Sequence, residues 1–437
     1  MFTTFINALK VKEIRDRIIF TVIILAIIRI GCQIPVPGAD SAVIESILSN
    51  FAGLDFFNAM TGSSFERFSI FTLNVTVYIT ASIIIQLMTI VIPKLEELQK
   101  DGQTGRKKIT QITRWLTLGL ALFESAAISI GFGRQGVFGN ISGTQYWITV
   151  ITTIIIMTGG AILITWMGEL ITERGIGNGI SLILLVNILA SMPGDFVLLY
   201  EQFIGGAKSV PMAILAAFII LTIFVGMIVF IVYLNNGERR VPVQYSQKAA
   251  QTYSYGVPAT NIPIKVNTAG VIPIIFAASL FQMPVLIAEL VTKGQPEWTR
   301  YLVTSYWFNP SNMIYTLGFI VYVALIIFFA YYYTQITFNP YDIASNMKKQ
   351  GGMIPGIRPG KPTEEYLKKI MKYLIFIGAI ALVIVAAVPI IVSGLFNTRL
   401  SFAGTSLIIV VSVIIETHQK IESMLLGRNY SGFLAQK

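Results

Sequence analysis

The segment Thr61–Pro93, TGSSFERFSIFTLNVTVYITASIIIQLMTIVIP, decides which kind of fold this chain can adopt. Its second half, Leu73–Ile92, is apolar over about 20 residues, the length that a helix needs to cross a bilayer. Its first half carries Phe65, Phe68 and Phe71 at helical spacing, but the residues around them are too polar for a membrane span. Non-helical backbone at membrane depth persists only where protein covers it or where it lines a water-filled cavity. The segment therefore predicts a short half-helix that dips into a central cavity and leads directly into a full span.

The composition indicates a polytopic helical membrane protein. Of 437 residues, 54% are hydrophobic and 12% are charged, and the mean hydropathy is +0.71. A soluble chain would carry about twice that share of charged residues. The chain contains one cysteine and one histidine, which excludes a disulfide framework and a His/Cys metal site. We expect no cofactor.

Ten apolar segments are predicted to cross the membrane, with both chain ends on one side. Lys and Arg number 25 on the side of the chain ends and six on the other, and Arg29 lies inside the first span. By the positive-inside rule, both termini face the cytoplasm. The predicted spans are 18–34, 73–92, 114–132, 146–168, 179–199, 211–234, 268–291, 312–334, 371–392 and 402–418.

Glu124 is an ionisable residue inside the third predicted span. Such a residue is costly in lipid, so it marks either a functional contact between helices or a carboxyl group that is satisfied within the bundle. The string ITERGIGNGIS, residues 171–181, has the glycine spacing of a nucleotide-binding loop. Because no strand precedes it and a membrane span follows it, we interpret its glycines as a sharp turn that brings two helices close together.

Two long cytoplasmic loops, 235–266 and 335–372, carry much of the positive charge. The first begins NNGERRVPVQYSQK, where apolar residues alternate after Arg239 and Arg240 in a pattern that favours an exposed hairpin arm. The second contains the Gly- and Pro-rich string GGMIPGIRPG, which predicts a turn-rich tip that presents Arg358. The two loops together suggest a docking surface for a large cytosolic partner.

Several strings, in this order along the chain, resemble the SecY family of protein-conducting channels. They are YITASIIIQL at 78–87, ITERGIGNGIS at 171–181, VNTAGVIPIIF at 266–276, GIRPG at 356–360 and FAGTSLIIVVSV at 402–413. The resemblance implies an all-α polytopic fold of ten transmembrane helices, in two pseudo-symmetric inverted halves around a central pore with a plug half-helix. The chain departs from the family pattern at Ser63, Ser64, Asn74 and Val77, around the expected plug.

The resemblance also implies roles for individual residues. A pore ring of branched apolar side chains gates by excluding water. Independently, Ile79 with Ile83, and Ile180 with Leu184, are i, i+4 pairs that each share one helix face. The implied pore ring is Ile79, Ile83, Ile180, Leu184, Ile275 and Ile409. The implied plug spans about 57–71 and includes Ser63, Ser64, Phe65, Glu66, Arg67 and Phe68. The implied lateral gate is Thr80, Ile84, Glu124, Gln282 and Met283. The implied motor or ribosome docking residues are Arg239, Arg240, Lys348, Lys349 and Arg358.

The implied organisation is a cytoplasmic amphipathic N-terminus (1–17), an N-terminal half (18–202), a C-terminal half (203–418) and a cytoplasmic tail (419–437). The resemblance implies that the chain lies in the bacterial cytoplasmic membrane and has no enzyme activity of its own. It further implies that the channel moves unfolded preproteins across that membrane and releases transmembrane segments sideways into lipid. The implied partners are SecE, SecG, the SecA ATPase, the ribosome, the signal peptide of the preprotein and membrane lipid. The resemblance implies no nucleic-acid substrate, and any contact with nucleic acid would be with the RNA of the docked ribosome.

Two other classes of protein fit the composition. A secondary transporter of a small solute also uses inverted repeats and broken helices, but its binding site concentrates polar groups near the midplane. This chain offers chiefly Glu124 there, with Gln86, Asn187 and Gln282 as neutral candidates. A membrane-embedded hydrolase needs a catalytic constellation, and no paired intramembrane carboxylates or second histidine supply one.

Overall fold

The structure is a bundle of long helices. It is a computed structural model that describes residues 2–50, 55–139, 141, 143–205, 210–245, 260–291, 296–310, 312–396 and 405–434. The ten long helices are α1 (Lys12–Gly31), α2 (Thr76–Val91), α3 (Gly102–Arg134), α4 (Thr144–Arg174), α5 (Gly179–Leu199), α6 (Val210–Asn236), α7 (Ile272–Val291), α8 (Leu317–Thr337), α9 (Lys361–Phe396) and α10 (Thr405–Leu434).

One long helix overlaps each of the ten predicted spans. Within the described residues, six helices are long and apolar enough to cross a membrane, and a seventh qualifies if α2 and the helix after it count as one broken span. That pair bends by 108° at Ile92, because Pro93 begins a new short helix, Pro93–Lys100. The structure therefore agrees with ten spans without establishing that number. The last helix continues to Leu434, well beyond the predicted end of the tenth span at 418.

The N-terminal and C-terminal halves meet along two sides. On one side, α5 and α6 pack against α10. On the other side, α7 packs against α2 and α3. Inside each half, neighbouring helices are sequence neighbours, such as α3 with α4 and α7 with α8. A space that opens between the halves is therefore bounded by α2, α3 and α7 on the side away from α10.

The short helix of the predicted plug lies earlier than the phenylalanine spacing indicates. The helix is Asp55–Thr61, and residues 62–75 form consecutive turns, so the prediction of a helix over Phe65–Phe71 is wrong. The backbone of these turns pairs with the chain that follows α1. Val36 N donates to Phe68 O at 2.8 Å, and Ile70 N donates to Ile34 O at 3.0 Å. These non-local bonds use the backbone groups that a local helix would need.

Gly62, Ser63, Phe68 and Asn74 all adopt positive φ in this stretch, with values of 66°, 62°, 48° and 48°. Three of the four are not glycine, and a non-glycine residue in this region is uncommon. The surrounding contacts therefore determine the backbone path, rather than the preferences of the residues themselves. The half-helix exists as the family resemblance implies, but the turns carry most of the predicted plug residues.

The two long loops, 235–266 and 335–372, contribute three strands: β1 is Glu238–Tyr245, β2 is Thr260–Lys265 and β3 is Gly352–Met353. The strands form a small sheet with the order β2–β1–β3, and both pairings are antiparallel. The strand pattern predicted after Arg240 is confirmed, and the hairpin tip lies outside the described residues. A buried apolar cluster beneath the sheet joins both loops to α9. Its buried members are Val241, Val243, Ile264, Met347, Ile354, Leu367, Met371, Leu374 and Ile375.

The N-terminal segment contains an amphipathic helix, Phe2–Lys10. It packs against α10, and Ala8, Ile14, Ile176 and Ile421 form a buried apolar cluster there. Phe5 and Ile6 of the same helix are about half exposed. The helix thus connects the start of the chain to the last helix of the bundle.

Candidate functional site

A funnel of about 420 Å³ opens between α2, α3, α4, α5, α7 and α8. Its rim includes Glu173 and Asn178, which belong to a loop predicted to face the cytoplasm. Arg114 and Glu169 also line it and form an ion pair, with Arg114 Nε donating to Glu169 Oε1 at 2.8 Å. The funnel is therefore polar at its entrance.

The apolar floor of the funnel contains four of the six predicted ring residues: Ile79, Ile180, Leu184 and Ile275. The other two, Ile83 and Ile409, are buried, with 3% and 1% of their surface exposed. All six belong to, or pack against, one apolar cluster. The chain thus brings together side chains from α2, α5, α7 and α10 that lie far apart in sequence.

The positions of Ile180 and Leu184 follow from the turn that precedes α5. Gly177 has φ +75° and Gly179 packs so closely on Gly168 that a Cβ would lie 1.9 Å from its carbonyl oxygen. Asn178 caps the helix, because its side chain accepts hydrogen bonds from the backbone N–H groups of Ile180 and Ser181. The prediction of a sharp turn with close helix approach is confirmed, and this turn fixes where α5 enters the funnel.

A second cavity, of about 30 Å³, lies where α2, α3 and α7 meet. Four of the five predicted gate residues line it, namely Thr80, Glu124, Gln282 and Met283. The fifth, Ile84, is half-buried and is absent from this lining, because it lies one turn beyond Thr80 along α2. Ile79 lines both this cavity and the funnel, so the two spaces adjoin at this side chain.

Glu124 is the charged residue of this second cavity, and 5% of its surface is exposed. Among the described residues, its Oε2 has no hydrogen-bond partner. A cavity of about 30 Å³ has room for about one water molecule, which needs polar partners such as this oxygen. The carboxyl group therefore points into the contact between the two halves.

The predicted plug residues lie against the C-terminal end of α3. Phe65 packs edge-on against Phe57 of the short helix, with 4.9 Å between ring centroids. Phe65 and Phe68 both contact Phe132, at 5.8 and 5.9 Å, and are fully buried. This aromatic cluster anchors the turns to the N-terminal half.

The polar plug residues differ in exposure. Ser64 is buried and its hydroxyl donates to Phe71 O at 3.1 Å, whereas Ser63 is half-buried. Glu66 accepts a hydrogen bond from the side chain of Asn58 at 3.0 Å, and Arg67 is exposed. The bond from Asn58 ties the turns to the short helix, whose Phe57 and Met60 line the second cavity beside α7.

One hydrogen bond joins the halves on the funnel side. The hydroxyl of Tyr332 on α8 donates to the backbone oxygen of Gln86 on α2 at 2.7 Å. Sequence reasoning did not identify Tyr332, since a tyrosine near a span end is ordinarily an interfacial residue. Its contact with a distant helix is visible only in the folded chain.

All five predicted docking residues are exposed on the two long loops, 235–266 and 335–372. Arg239 and Arg240 lie on β1, and Lys348 and Lys349 end the short helix Pro340–Lys349. Arg358 lies in the turn-rich tip, where its carbonyl oxygen accepts a hydrogen bond from Thr363 at 2.9 Å. Pairing of β1 with β3 brings the two loops into one surface.

Two further polar residues, Arg29 and Asn187, contact the end of the short helix Asp55–Thr61. Neither is among the residues assigned by the resemblance, although an intramembrane charge such as Arg29 is itself a signal of function. Within the described ranges, no group of three His, Cys, Asp or Glu residues is placed to hold a metal ion. The site is therefore built from apolar side chains and hydrogen bonds.

Comparison with known proteins gives a consistent result. The SecY family model matches residues 69–418. The protein translocase subunit SecY of Corynebacterium glutamicum is 40% identical over 447 residues, covering 98% of this chain and 99% of that protein. The subunit of the same name from Mycobacterium tuberculosis is 40% identical over 452 residues, covering 99% and 100%.

Solved structures share the fold at low sequence identity. A structure described as a protein-conducting channel has a TM-score of 0.66 at 20% identity and covers 93% of this chain and 91% of its own. Sec61 in a canine ribosome–channel complex has a TM-score of 0.64 at 19% identity, with the same coverage. A third structure, of a SecY protein whose plug domain is described as stabilising the closed state, has a TM-score of 0.63 at 19% identity, also covering 93% and 91%. The chain belongs to the SecY family.

Proposed function

We propose that this chain is the channel subunit of a protein translocase, through which unfolded preproteins cross the membrane. Membership in the SecY family, and the names of its relatives, favour this function over a transporter of small solutes. The observation that carries the proposal is the set of branched apolar side chains where two spaces adjoin. Ile79 borders both the polar funnel and the second cavity, and the predicted ring residues from four helices belong to, or pack against, one apolar cluster.

An apolar ring suits the passage of an unfolded chain. Branched aliphatic side chains offer ions no hydrogen-bond partners, so a narrow ring closes by excluding water. The same side chains make no sequence-specific contacts with a polypeptide that slides past them. In this proposal the short helix and turns of residues 55–75 are the plug, which covers the ring on the side away from the funnel.

The second cavity marks the lateral gate in this proposal. It lies between α2 and α3 of one half and α7 of the other, where lipid-soluble segments would leave the channel. Phe57, Met60 and Leu286 line this cavity together with neutral polar groups and the Glu124 carboxyl. Contacts between apolar side chains have no fixed direction and can separate without leaving polar groups unpaired. On the funnel side, the Tyr332 hydroxyl donates a hydrogen bond to the backbone oxygen of Gln86.

The energy for transport comes from partners that engage the basic cytoplasmic surface. Arg239, Arg240 and Arg358, with Lys348 and Lys349, lie exposed there. We assign this surface to the SecA motor and the ribosome, and we expect a SecE subunit that clamps the two halves and a SecG subunit beside them. The related Sec61 structure was determined in a ribosome–channel complex, which supports the ribosome as a partner. The bias of positive charge supports a cytoplasmic position for this surface and both termini. We assign the channel to the cytoplasmic membrane of a bacterium.

Photo-crosslinking tests whether preproteins pass the ring. A photoreactive residue at Ile275 in the ring is compared with the same residue at Ile155, a surface position of α4 that is 65% exposed. A preprotein stalled halfway by a folded C-terminal domain should crosslink strongly to the Ile275 position and only weakly to the Ile155 position. Equal crosslinking at the two positions would contradict passage through the ring.

A further inference from the structure

The C-terminal end of the short helix Asp55–Thr61 is held by side chains from elsewhere in the chain. Its last carbonyl oxygens, and that of the following Gly62, lack partners within the helix, as at every helix end. Here each accepts a hydrogen bond from a different side chain. The bonds are Asn187 Nδ2 to Met60 O at 3.3 Å, Asn74 Nδ2 to Thr61 O at 3.4 Å, and Arg29 Nη1 to Gly62 O at 3.1 Å.

The three donors also bind one another. Asn187 Nδ2 donates to Asn74 Oδ1 at 3.0 Å, and Arg29 Nη1 donates to Asn187 Oδ1 at 3.5 Å. Asn74 and Asn187 are fully buried. We call Arg29, Asn74 and Asn187 the polar clasp. Its members come from α1, from the turns before α2 and from α5, all in the N-terminal half.

The geometry of the clasp matches the electrostatics of a helix end. The C-terminus of a helix carries partial negative charge, which a nearby guanidinium stabilises. At membrane depth the carbonyl groups would otherwise lack water as a partner. Gly62 permits the close approach, because a Cβ there would lie 2.5 Å from Arg29 Nη1 and 2.9 Å from the Cα of Asn187, and its φ is +66°.

The same helix meets the C-terminal half differently. Phe57 and Met60 line the second cavity together with Met283 and Leu286 of α7. These are apolar side chains, whose contacts have no fixed direction and tolerate sliding. The helix is therefore tied to one half by hydrogen bonds and touches the other half through apolar side chains.

We propose that the polar clasp keeps the plug on the N-terminal half when the halves separate, so that lateral opening and plug release are distinct steps. This inference rests on the proposed function, because it takes residues 55–75 as the plug. Movement of α7 away from α2 breaks apolar contacts and leaves the clasp intact. Asn74 lies within the plug and moves with it, so the plug leaves only when Arg29 releases Gly62 and Asn187 releases Met60 and Asn74.

The single cysteine of the chain provides a probe for the clasp. Cys32 is 1% exposed, and its Sγ lies 3.9 Å from Asn74 Nδ2. Asn187→Leu removes the amide that binds Met60 and Asn74 while keeping a similar side-chain volume. We expect a small water-soluble thiol reagent to modify Cys32 ten- to a hundredfold faster in the idle Asn187→Leu channel, since a buried acceptor without its donor favours the released plug.

Ser191→Ala is the matched control on the same helix. Ser191 donates to Ile188 O and its loss leaves the clasp intact, so Cys32 should stay as slow as in the unmodified chain. Gly62→Ala is a second variant, which disturbs the clasp from the plug side and should also speed the reaction. We expect the gate to remain closed in the Asn187→Leu channel. A disulfide between cysteines placed at Thr80 and Met283, in a separate Cys32→Ser background, should therefore still form.

The results separate the clasp from the proposed function. If Cys32 reacts equally slowly in the unmodified, Asn187→Leu and Gly62→Ala channels, the clasp does not hold the plug, although transport by the unmodified channel would still support the function. If the gate disulfide is lost together with protection of Cys32, the two steps are one and the inference is wrong. If the unmodified channel, reconstituted with its partners, moves no preprotein, the proposed function fails whatever the rate of labelling.

Discussion

Substitution of Ile275 by asparagine tests the pore ring most directly. Ile275 lies on α7, lines the floor of the funnel and is 7% exposed. In the closed channel the substitution removes apolar burial worth about 1.5–3 kcal/mol. It also leaves a largely buried amide short of partners, at a cost of about 1–3 kcal/mol. Both costs become smaller once water enters the ring.

These terms overlap, and together they raise the closed state by about 2–4 kcal/mol relative to a wetted state. Each 1.4 kcal/mol corresponds to a factor of ten, so the ratio of open to closed channels should rise roughly 30- to 1,000-fold. Conductance of the purified channel in a planar bilayer, without motor or preprotein, measures this ratio. We expect frequent openings in Ile275→Asn and a tight idle channel in the unmodified protein.

Two controls separate wetting of the ring from general damage. Ile275→Val keeps an aliphatic side chain and should stay tight. Ile274→Asn places the same amide one residue away, at a fully buried position outside the funnel lining, and should lower abundance without adding conductance. An Ile275→Asn channel of normal abundance that is as tight as the unmodified one would refute the assignment of Ile275 to the ring.

Three further predictions concern topology, docking and the contact between halves. Reporter fusions at Gln350 and Pro296 should report opposite sides of the membrane, and a report from the same side would show that the span count is wrong. The Arg358→Glu channel should insert normally and bind its partner subunit, but it should not support motor-driven transport in vesicles. The Arg358→Lys channel should support transport only poorly, since lysine lacks the planar fork of donors. Normal transport by Arg358→Glu would exclude a docking role for Arg358. Tyr332→Phe removes the hydrogen bond to Gln86 O, which is worth about 1 kcal/mol. The ratio of open to closed gates should therefore rise about fivefold in a gate-crosslinking assay. An unchanged crosslinking yield would show that this bond does not hold the halves together.

In the two long loops, 235–266 and 335–372, local sequence patterns predicted the backbone conformation correctly. Alternating apolar residues predicted a strand after Arg240, and the strand buries Val241 and Val243. The glycines and prolines around Arg358 predicted a turn-rich tip, and Gly356 and Gly360 there have positive φ. In both places the preferred local backbone is also the one that the apolar cluster beneath the sheet requires.

The phenylalanine spacing around Phe65, Phe68 and Phe71 shows where such signals fail. The spacing is helical, yet Phe65 and Phe68 pack on Phe132 from consecutive turns. The backbone bonds to Ile34 and Val36 compete with a local helix and prevail. Periodicity records which side chains are buried, and here a different backbone buries the same side chains.

The sequence by itself determined the class of protein, the positions of ten apolar segments and the asymmetry of positive charge. These properties follow from the free energy of transferring side chains between water and lipid. That free energy depends on the composition of each short segment and not on the rest of the chain. Only the tertiary structure decided which apolar side chains line the two spaces, where the short helix ends and which side chains hold that end. Gly62 and Asn187, which approach closely, are far apart in sequence. Their contacts arise because ten helices pack around a common space, and packing between distant segments leaves no periodic signal in any one of them.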